Sequence, residues 1–353
     1  LELSFMDENN KYSGKGLTGL MNLGNSCYLN SALQIVGNFH ELNDYIDSYF
    51  TENVSINNLD SHLMKEWNDL RKLMWNKNVI ISPNRFKKTI EYVSEKKNWD
   101  SFAGFEQNDA NEFLFFILNI FHDSMKMEKN DKQLLKMLMS NEQIYLRKKY
   151  KDFNSFFNVA HKEYSCIDYL FTVYLKVQYV EKETNKIITT KYENSYSIDL
   201  PLNKLSISDC FSELFEPEEL NKENNNQYYD DAEDKYKDVI KKTYLFQTSK
   251  YLIIQLKRWN MNLMKNQRII HYDINEPLTL GKYSYDKNKS SLSKNYELLG
   301  IINHSGNIYG GHYTCIIKNS NGKWYDYNDA MIKEIKPNKV VGNKNYCLIY
   351  RLK

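Results

Sequence analysis

The 353-residue sequence is poor in the features that mark several common classes of protein. Its five cysteines, Cys27, Cys166, Cys210, Cys315 and Cys347, are odd in number, scattered, and form no Cys-x-x-Cys pair. That excludes a disulfide framework and a zinc knuckle, and it fits a reducing compartment, the cytosol or the nucleus. No apolar run approaches the ~20 residues needed to span a bilayer, so no membrane association is expected. Residues 1–15 lack the pattern of a secretory signal. Neither sign of charge dominates: 47 Lys and Arg face 45 Asp and Glu, for a net charge of +2. A dedicated nucleic-acid surface is therefore not expected. A first residue other than Met is expected of a domain taken from a longer chain.

What is present is ordinary for a globular protein: 42% hydrophobic and 26% charged residues, in a chain long enough for one large domain or two smaller ones. The 28 tyrosines and many asparagines read as compositional bias rather than chemistry.

The most informative stretch runs from Gly19 to Gln34. Cys27 sits where a loop containing Gly19, Gly24 and Asn25 gives way to Tyr28, Leu29, Ala32, Leu33, Ile35 and Val36 at helical spacing, with Gly37 and Asn38 as a stop. A cysteine at a helix N-terminus meets unpaired N–H groups and the positive end of the helix dipole. Both favour a thiolate, and the same N–H groups suit an oxyanion. A small buried hydrophobe at a helix start is the plainer alternative, and this segment alone leaves the two near parity.

Residues 38–100 read as packing helices. Leu63, Trp67, Leu70, Leu73 and Met74 share one amphipathic helix; Ser82-Pro83 opens another, with Phe86, Ile90 and Val93 on one face. From Phe105 to Phe121, Asp109 followed by Glu112 resembles a capping box ahead of an almost wholly apolar run, as expected of a central helix. Residues 125–150 read as a solvated helix. At Tyr169 the period changes to two: Phe171–Val180 and Ile187–Leu202, with a turn at Glu183 to Asn185, read as a β-hairpin. The acidic, Asn-rich stretch 216–237 reads as a surface loop or partly disordered insertion. The rest is β-rich, with strands at Tyr251–Leu256, Tyr296–Asn303, around His312, and Tyr346–Arg351.

A partner for the cysteine follows from the turn Asn319–Gly322. If Lys318 pairs with Lys323, His312 lies opposite Asp329; a shift of one places it opposite Asn328. Either neighbour, roughly 5 Å away between Cβ atoms, accepts from one ring nitrogen, the base-plus-orienter arrangement that an activated thiol requires. His304, in a Gly- and Asn-rich turn with no evident orienter, reads as a turn or substrate-loop residue.

With these residues in place the chain resembles the ubiquitin-specific proteases, papain-like cysteine deubiquitinases. Gly19–Gln34 is similar to the family's cysteine box, Phe105–Leu114 to its Gln-Gln-Asp-Ala-x-Glu-Phe-Leu block, and Leu298–Ile332 to its histidine box. Tyr251–Trp259 is similar to its strand ending Leu-Lys-Arg-aromatic. The likeness runs from about Gly16 to the C-terminus, and the joint order of the blocks is its most specific feature. Asn108 and Ser26 stand where the family usually has Gln and Thr.

The resemblance implies an α+β fold of the papain-like type: a 1–15 extension, then one catalytic domain with a thumb (about 16–165), β-hairpin fingers (about 166–250) and a palm (about 251–353). It implies Cys27 as nucleophile, His312 as base, Asn328 as third triad member, Asp329 as an assisting acid and Asn22 as oxyanion donor. It places Asp109, Glu112, Gln107, Gly311, Tyr313 and His304 along the substrate's Arg-rich tail, which ends Gly-Gly. Expected partners are ubiquitin or polyubiquitin conjugates, met by a monomeric domain in the cytoplasm or nucleus, without a cofactor. The paired Cys-x-x-Cys that binds zinc in many relatives' fingers is missing near Val177–Val180 and Tyr228–Lys235, so fingers without metal are expected. The expected reaction is thiol-dependent hydrolysis of the isopeptide bond after ubiquitin's terminal Gly. The alternatives are a ubiquitin-binding pseudo-enzyme, a protease for another ubiquitin-like modifier, and a transglutaminase-type acyltransferase.

Overall fold

The computed structural model describes residues 11–51, 58–104, 106–128, 139–288, 294–307 and 310–353. Residues 1–10 of the expected extension, Phe105, and 129–138 of the expected solvated helix lie outside them.

Helix α1 (Cys27–Gly37) begins at the predicted cysteine, stops where Gly37 and Asn38 were expected to stop it, and is buried along its whole length. Its polar residues hold the incoming chain: Asn30 Nδ2 donates to the Leu20 carbonyl and Gln34 Nε2 to that of Thr18. Around it lie α2 (His40–Thr51), α3 (Leu59–Asn76), α4 (Asn84–Lys96) and α5 (Ala110–Met125). In α3, Leu63, Trp67, Leu70 and Met74 are buried, but Leu73 is 56% exposed. One residue before Met74, it lies about 100° off the stripe. Helix α4 starts one residue after Pro83, whose carbonyl accepts from Lys87 N, and buries Phe86, Ile90 and Val93 as expected. Helix α5 buries Phe113, Leu114, Phe116, Ile117, Leu118, Ile120 and Phe121, as its continuous apolar run predicts. Helices α6 (Asn141–Lys149), α7 (Lys151–Ala160) and α8 (Cys166–Phe171) complete this half.

The β-rich half contains two main sheets. One carries β1 (Val173–Glu181) and β2 (Ile187–Ser195), the predicted hairpin, followed in space by β4 (Val239–Gln247) and the short strand Glu218–Leu220. The second carries β3 (Ser197–Pro201), β5 (Tyr251–Lys257), β6 (Asn295–Asn307), β7 (Gly310–Lys318), β8 (Trp324–Asn328), β9 (Met331–Ile335) and β10 (Asn345–Leu352). Its spatial order is β9-β8-β7-β6-β10-β5-β3. The expected single strand Ile187–Leu202 is thus divided: the chain leaves one sheet near Tyr196, and β3 runs parallel to β5 in the other. Helix α9 (Ile207–Leu214) packs beside β3, so part of segment 166–250 joins the second sheet rather than the first. Residues 216–237 are more ordered than their composition suggests, with Glu218–Leu220 pairing to β4 and a Tyr228–Asp230/Lys235–Lys237 hairpin. Tyrosines supply what the acidic residues lack: Tyr179 stacks on Tyr228 at 4.5 Å between ring centroids, and Tyr229 meets Tyr236.

Strand alternation sorts the second sheet into two faces. Tyr251, Ile253, Cys315, Ile317, Cys347 and Ile349 join the core around α1 and α5. Leu252, Ile254, Ile316, Leu348 and Tyr350 face the other way, toward the cluster containing Phe211 of α9. The sheet's first face thereby brings β7 and β8 against the start of α1.

Candidate active site

The loop before α1 is shaped by its own side chains. Asn22 Oδ1 accepts from Gly24 N at 3.0 Å, Ser26 N at 3.3 Å and Ser26 Oγ at 3.3 Å, while Ser26 Oγ accepts from Leu23 N at 2.8 Å. Gly24 and Asn25 adopt the left-handed backbone expected of them, with φ of 88° and 49°. This fixes Asn22 beside Cys27, the first residue of α1.

The cysteine differs from expectation in one respect. Burial pushes the Cys27 thiol upward and the Asp329 carboxylate adds to that; the backbone N–H groups of Tyr313 and Tyr28 oppose it. Desolvation thus outweighs the N–H groups at the helix start and favours the thiol form.

The candidate base, His312, lies on β7. His312 Nε2 lies 2.7 Å from Asn328 Oδ1. The amide oxygen accepts, so Nε2 donates and Nδ1 of the neutral ring is left to take a proton. The route to this contact is not the direct pairing expected. Lys318 pairs with Trp324, not Lys323, because the turn holds an additional residue: Asn319 N donates to Lys323 O, and Gly322 sits at φ 81°. In that register the position opposite His312 is Ala330, beyond the end of β8. His312 instead reaches Asn328 diagonally. Among the described residues no hydrogen bond joins Cys27 Sγ to the His312 ring.

Asp329 faces the cysteine segment rather than the histidine. It opens the turn between β8 and β9 at φ 50°. Its Oδ2 accepts from Asn22 Nδ2 at 2.9 Å, its Oδ1 from Asn30 Nδ2 at 2.7 Å, and its carbonyl from Leu20 N at 2.9 Å. Gly19 makes the approach possible, since a Cβ there would stand 2.2 Å from the Ala330 carbonyl oxygen. Asn30 was missed in the sequence; its signal is an amide one turn after Cys27 on a largely apolar helix.

A cleft of about 220 Å³ opens beside Cys27, lined by Gln107, Asp109, Trp259, His304, Gly311 and Tyr313 among others. Gln107 joins its two sides, accepting from Gly311 N at 2.7 Å and donating to Asn25 Oδ1 at 3.5 Å. Asp109 is fully engaged: Oδ1 caps α5 through Asn111 N and Glu112 N, and Oδ2 accepts from the hydroxyls of Tyr313 and Tyr346 at 3.0 and 2.6 Å. The return bond of a capping box, from Asp109 N to the Glu112 side chain, is not formed. Glu112 stays exposed, its carboxyl raised by partial burial and by the charge of Asp109. His304 lies within β6, opposite Tyr313, and is 4% exposed. The predicted turn fails because β6 extends to Asn307 and the ring is enclosed by Trp259, Tyr313 and Tyr346. Trp259 and Tyr346 were read from the sequence only as ends of strands, and Asn108, which bonds the Tyr28 hydroxyl, only as a departure from the family block, so none of the three was among the predicted site residues. Among the described residues no group of three His, Cys, Asp or Glu side chains is placed to hold a metal ion, and no helix is long and apolar enough to cross a membrane.

Comparison with known proteins bears directly on this geometry. The sequence profile of the family described as ubiquitin carboxyl-terminal hydrolase matches residues 18–350. Ubiquitin carboxyl-terminal hydrolase 2 of Bos taurus is 27% identical over 371 residues, covering 98% of this chain and 57% of the relative. The chain thus spans little more than half the length of that relative. The probable ubiquitin carboxyl-terminal hydrolase R319 of Acanthamoeba polyphaga mimivirus is 24% identical, covering 97% of this chain and 92% of its own. Among solved structures, the SAGA Ubp8/Sgf11/Sus1/Sgf73 DUB module bound to ubiquitin aldehyde superposes with a TM-score of 0.72 at 22% identity, covering 96% of this chain and 70% of that one. Another structure of the Ubp8-Sgf11-Sgf73-Sus1 SAGA DUB module gives 0.68 at 20% identity, covering 99% of this chain and 69% of that one. These two likenesses establish the papain-like α+β fold.

Proposed function

The chain belongs to the ubiquitin carboxyl-terminal hydrolase family, and on that premise we propose that it is a cysteine deubiquitinase, cutting the isopeptide bond after the terminal Gly of ubiquitin. The observation that carries this reading is the closure of the cleft. Asn22 and Asn30 of the cysteine segment hold Asp329, the residue after the Asn328 that orients His312.

In the proposed reaction His312 Nδ1 takes the Cys27 proton while Nε2–H stays on Asn328 Oδ1. The thiolate attacks the carbonyl carbon of the terminal Gly, and the oxyanion meets the second N–H of the Asn22 amide and the Cys27 backbone N–H. Collapse breaks the C–N bond, and His312 returns its proton to the leaving lysine amine. Water, deprotonated by His312, then cleaves the thioester and restores the thiol. The raised thiol favours this general-base route over a standing imidazolium–thiolate pair. Cys27 and His312 come within hydrogen-bond reach when substrate fills the cleft, as is common for sites that tighten on binding.

Asp109 serves the substrate indirectly by fixing Tyr313 and Tyr346; Glu112, with its carboxylate exposed, is the acid that receives an arginine of the tail. Gln107, Gly311, Tyr313 and His304 line the passage for the Gly-Gly end. Both halves of the site come from one chain, which supports a catalytic unit competent as a monomer, although Ubp8 in the solved neighbours is one member of a module. A thiol nucleophile suits the reducing cytosol or nucleus.

The test is cleavage of isopeptide-linked diubiquitin, with Cys27→Ala as control. Cleavage by the wild type and none by the variant, at unchanged Tm, is expected; a fully active variant would remove Cys27 as nucleophile.

A further inference from the structure

The loop after β5 places a lysine against His304, a residue of the cleft wall. Lys265 Nζ lies 2.8 Å from His304 Nδ1 and 2.6 Å from the His304 carbonyl oxygen. The loop is held at several points. The buried Arg258 guanidinium donates to the carbonyls of Asn266 and Arg268 at 2.8 and 2.9 Å, and to that of Asn345. Asn260 Oδ1 accepts from Asn262 N and Met264 N, and Trp259 forms a bridge with Lys265. On its other side the His304 ring packs 4.6 Å from Tyr313 and 5.8 Å from Tyr346, whose hydroxyls end on Asp109.

This contact dictates the state of the imidazole. An ammonium only donates, so Nδ1 must accept, the ring is neutral, and its proton sits on Nε2. That nitrogen has no hydrogen-bond partner among the described residues. It lies against Gly311, where an added Cβ would come within 2.3 Å of it. His304 and Gly311 both line the cleft.

We propose that Lys265 is a positioning residue of this cleft: it fixes the His304 ring and its tautomer so that Nε2–H donates to a backbone carbonyl of the bound modifier tail. A main-chain acceptor suits a tail ending in two glycines, which offers no side chain to grip. The proposal rests on the deubiquitinase reading above.

The surrounding charges give it a pH signature. His304 is pushed down to about 4 by burial and by the Lys265 cation, with Asp109 opposing. Lys265 is itself lowered to about 8 by burial and by Arg258 and Lys344. Tyr313 and Tyr346 are raised by burial and stay neutral donors to Asp109. Between about 4 and about 8 the pair is thus a cationic lysine beside a neutral histidine. Without the lysine charge one of the two causes depressing His304 is gone, and the ring protonates at a higher pH.

Two readouts on the whole chain test this. In ¹⁵N-histidine NMR, the wild-type His304 ring should carry its proton on Nε2, and its titration should move upward in Lys265→Met. On a ubiquitin C-terminal fluorogenic substrate, Lys265→Met should raise KM about tenfold with kcat within about twofold, the scale of one hydrogen bond. The variant's KM should also rise on the acid side where the wild type is flat, and Lys265→Arg should recover most of the loss. A Lys265→Met, His304→Gln double variant should be no worse than the worse single variant. An unmoved His304 titration, a wild-type proton on Nδ1, or losses that multiply would each overturn the proposal. Were the wild type to leave ubiquitin substrates uncut, the deubiquitinase reading alone would fail, and the NMR result would still decide the Lys265–His304 pairing.

Discussion

Around the cleft, the bonds that join the cysteine and α5 segments to the β-rich half span most of the chain: 204 residues from Gln107 to Gly311 and from Asp109 to Tyr313, 299 from Asn30 to Asp329, and 307 from Asn22 to Asp329. At the fingertip many of the bonds are local. Lys237 pairs with Asp230 at 2.7 Å and Glu233 at 2.6 Å, Gln227 bonds Asp238 across 11 residues, and Tyr179 stacks on Tyr228. The base of the fingers is held by a buried lysine: Lys176 Nζ sits 4.0 Å from the Tyr285 ring centroid, with Tyr150, Tyr192 and Phe246 within 5.8 Å. The two halves of the cleft therefore meet only when distant parts of the chain close on each other, whereas the fingertip is shaped largely by its neighbours in sequence. Damage to the cleft should appear first in turnover. Damage to the fingers should appear in stability and in KM.

The largest effect is expected from Asn328→Ala, which leaves the His312 ring without its orienter: kcat/KM should fall about 10²–10⁴-fold at near-constant Tm. Asp329→Ala should follow at about 10²–10³-fold, with a lower Tm because Asn30 loses the nearest of its acceptors inside the fold. If Asp329→Ala were the more damaging to activity, the division between a histidine-orienting Asn328 and a cysteine-side Asp329 would be wrong. Asp109→Ala removes a helix cap and leaves two tyrosine hydroxyls without an acceptor, so denaturant titration should show a loss of about 2–4 kcal/mol. Lys176→Met should cost about 1–2 kcal/mol, raising KM more than it lowers kcat; equal losses in both would erase the contrast between the two regions. The smallest effect is expected from metal removal. Prolonged exposure to a strong zinc chelator should leave Tm and activity unchanged, because tyrosine stacking and ion pairs hold the fingertip. A fall in Tm would show that a metal contributes there.

The same contrast explains what could be read from the sequence. Helix α1 starting at Cys27, the β1–β2 hairpin and the continuous burial of α5 follow from spacing within a few residues, and all three were legible. Failures arose where a long-range partner decided the outcome. The Asn319–Lys323 turn differs from expectation by one residue, which moves the position opposite His312 from Asp329 to Ala330; Asn328 is reached only on the diagonal. Asp329 turns toward Asn22 and Asn30, a choice made by the approach of Gly19 to Ala330. His304 read as a turn residue because its aromatic enclosure comes from Trp259 and Tyr346, far away in the chain. Residues 216–237 read as a loop because the pairing of Glu218–Leu220 with β4 and the tyrosine stack leave no apolar period. The thiol's upward shift was also hidden, since burial is a property of the closed fold and the helix start is visible in sequence.

The most direct test of the central claim is the mass of the intact protein after incubation with ubiquitin carrying a C-terminal electrophile, beside the Cys27→Ala variant and probes built on other ubiquitin-like modifiers. A gain of one ubiquitin on the wild type, located at Cys27 and missing from the variant, is the predicted result. Retained ubiquitin binding without an adduct, or an adduct only with another modifier, would contradict the account.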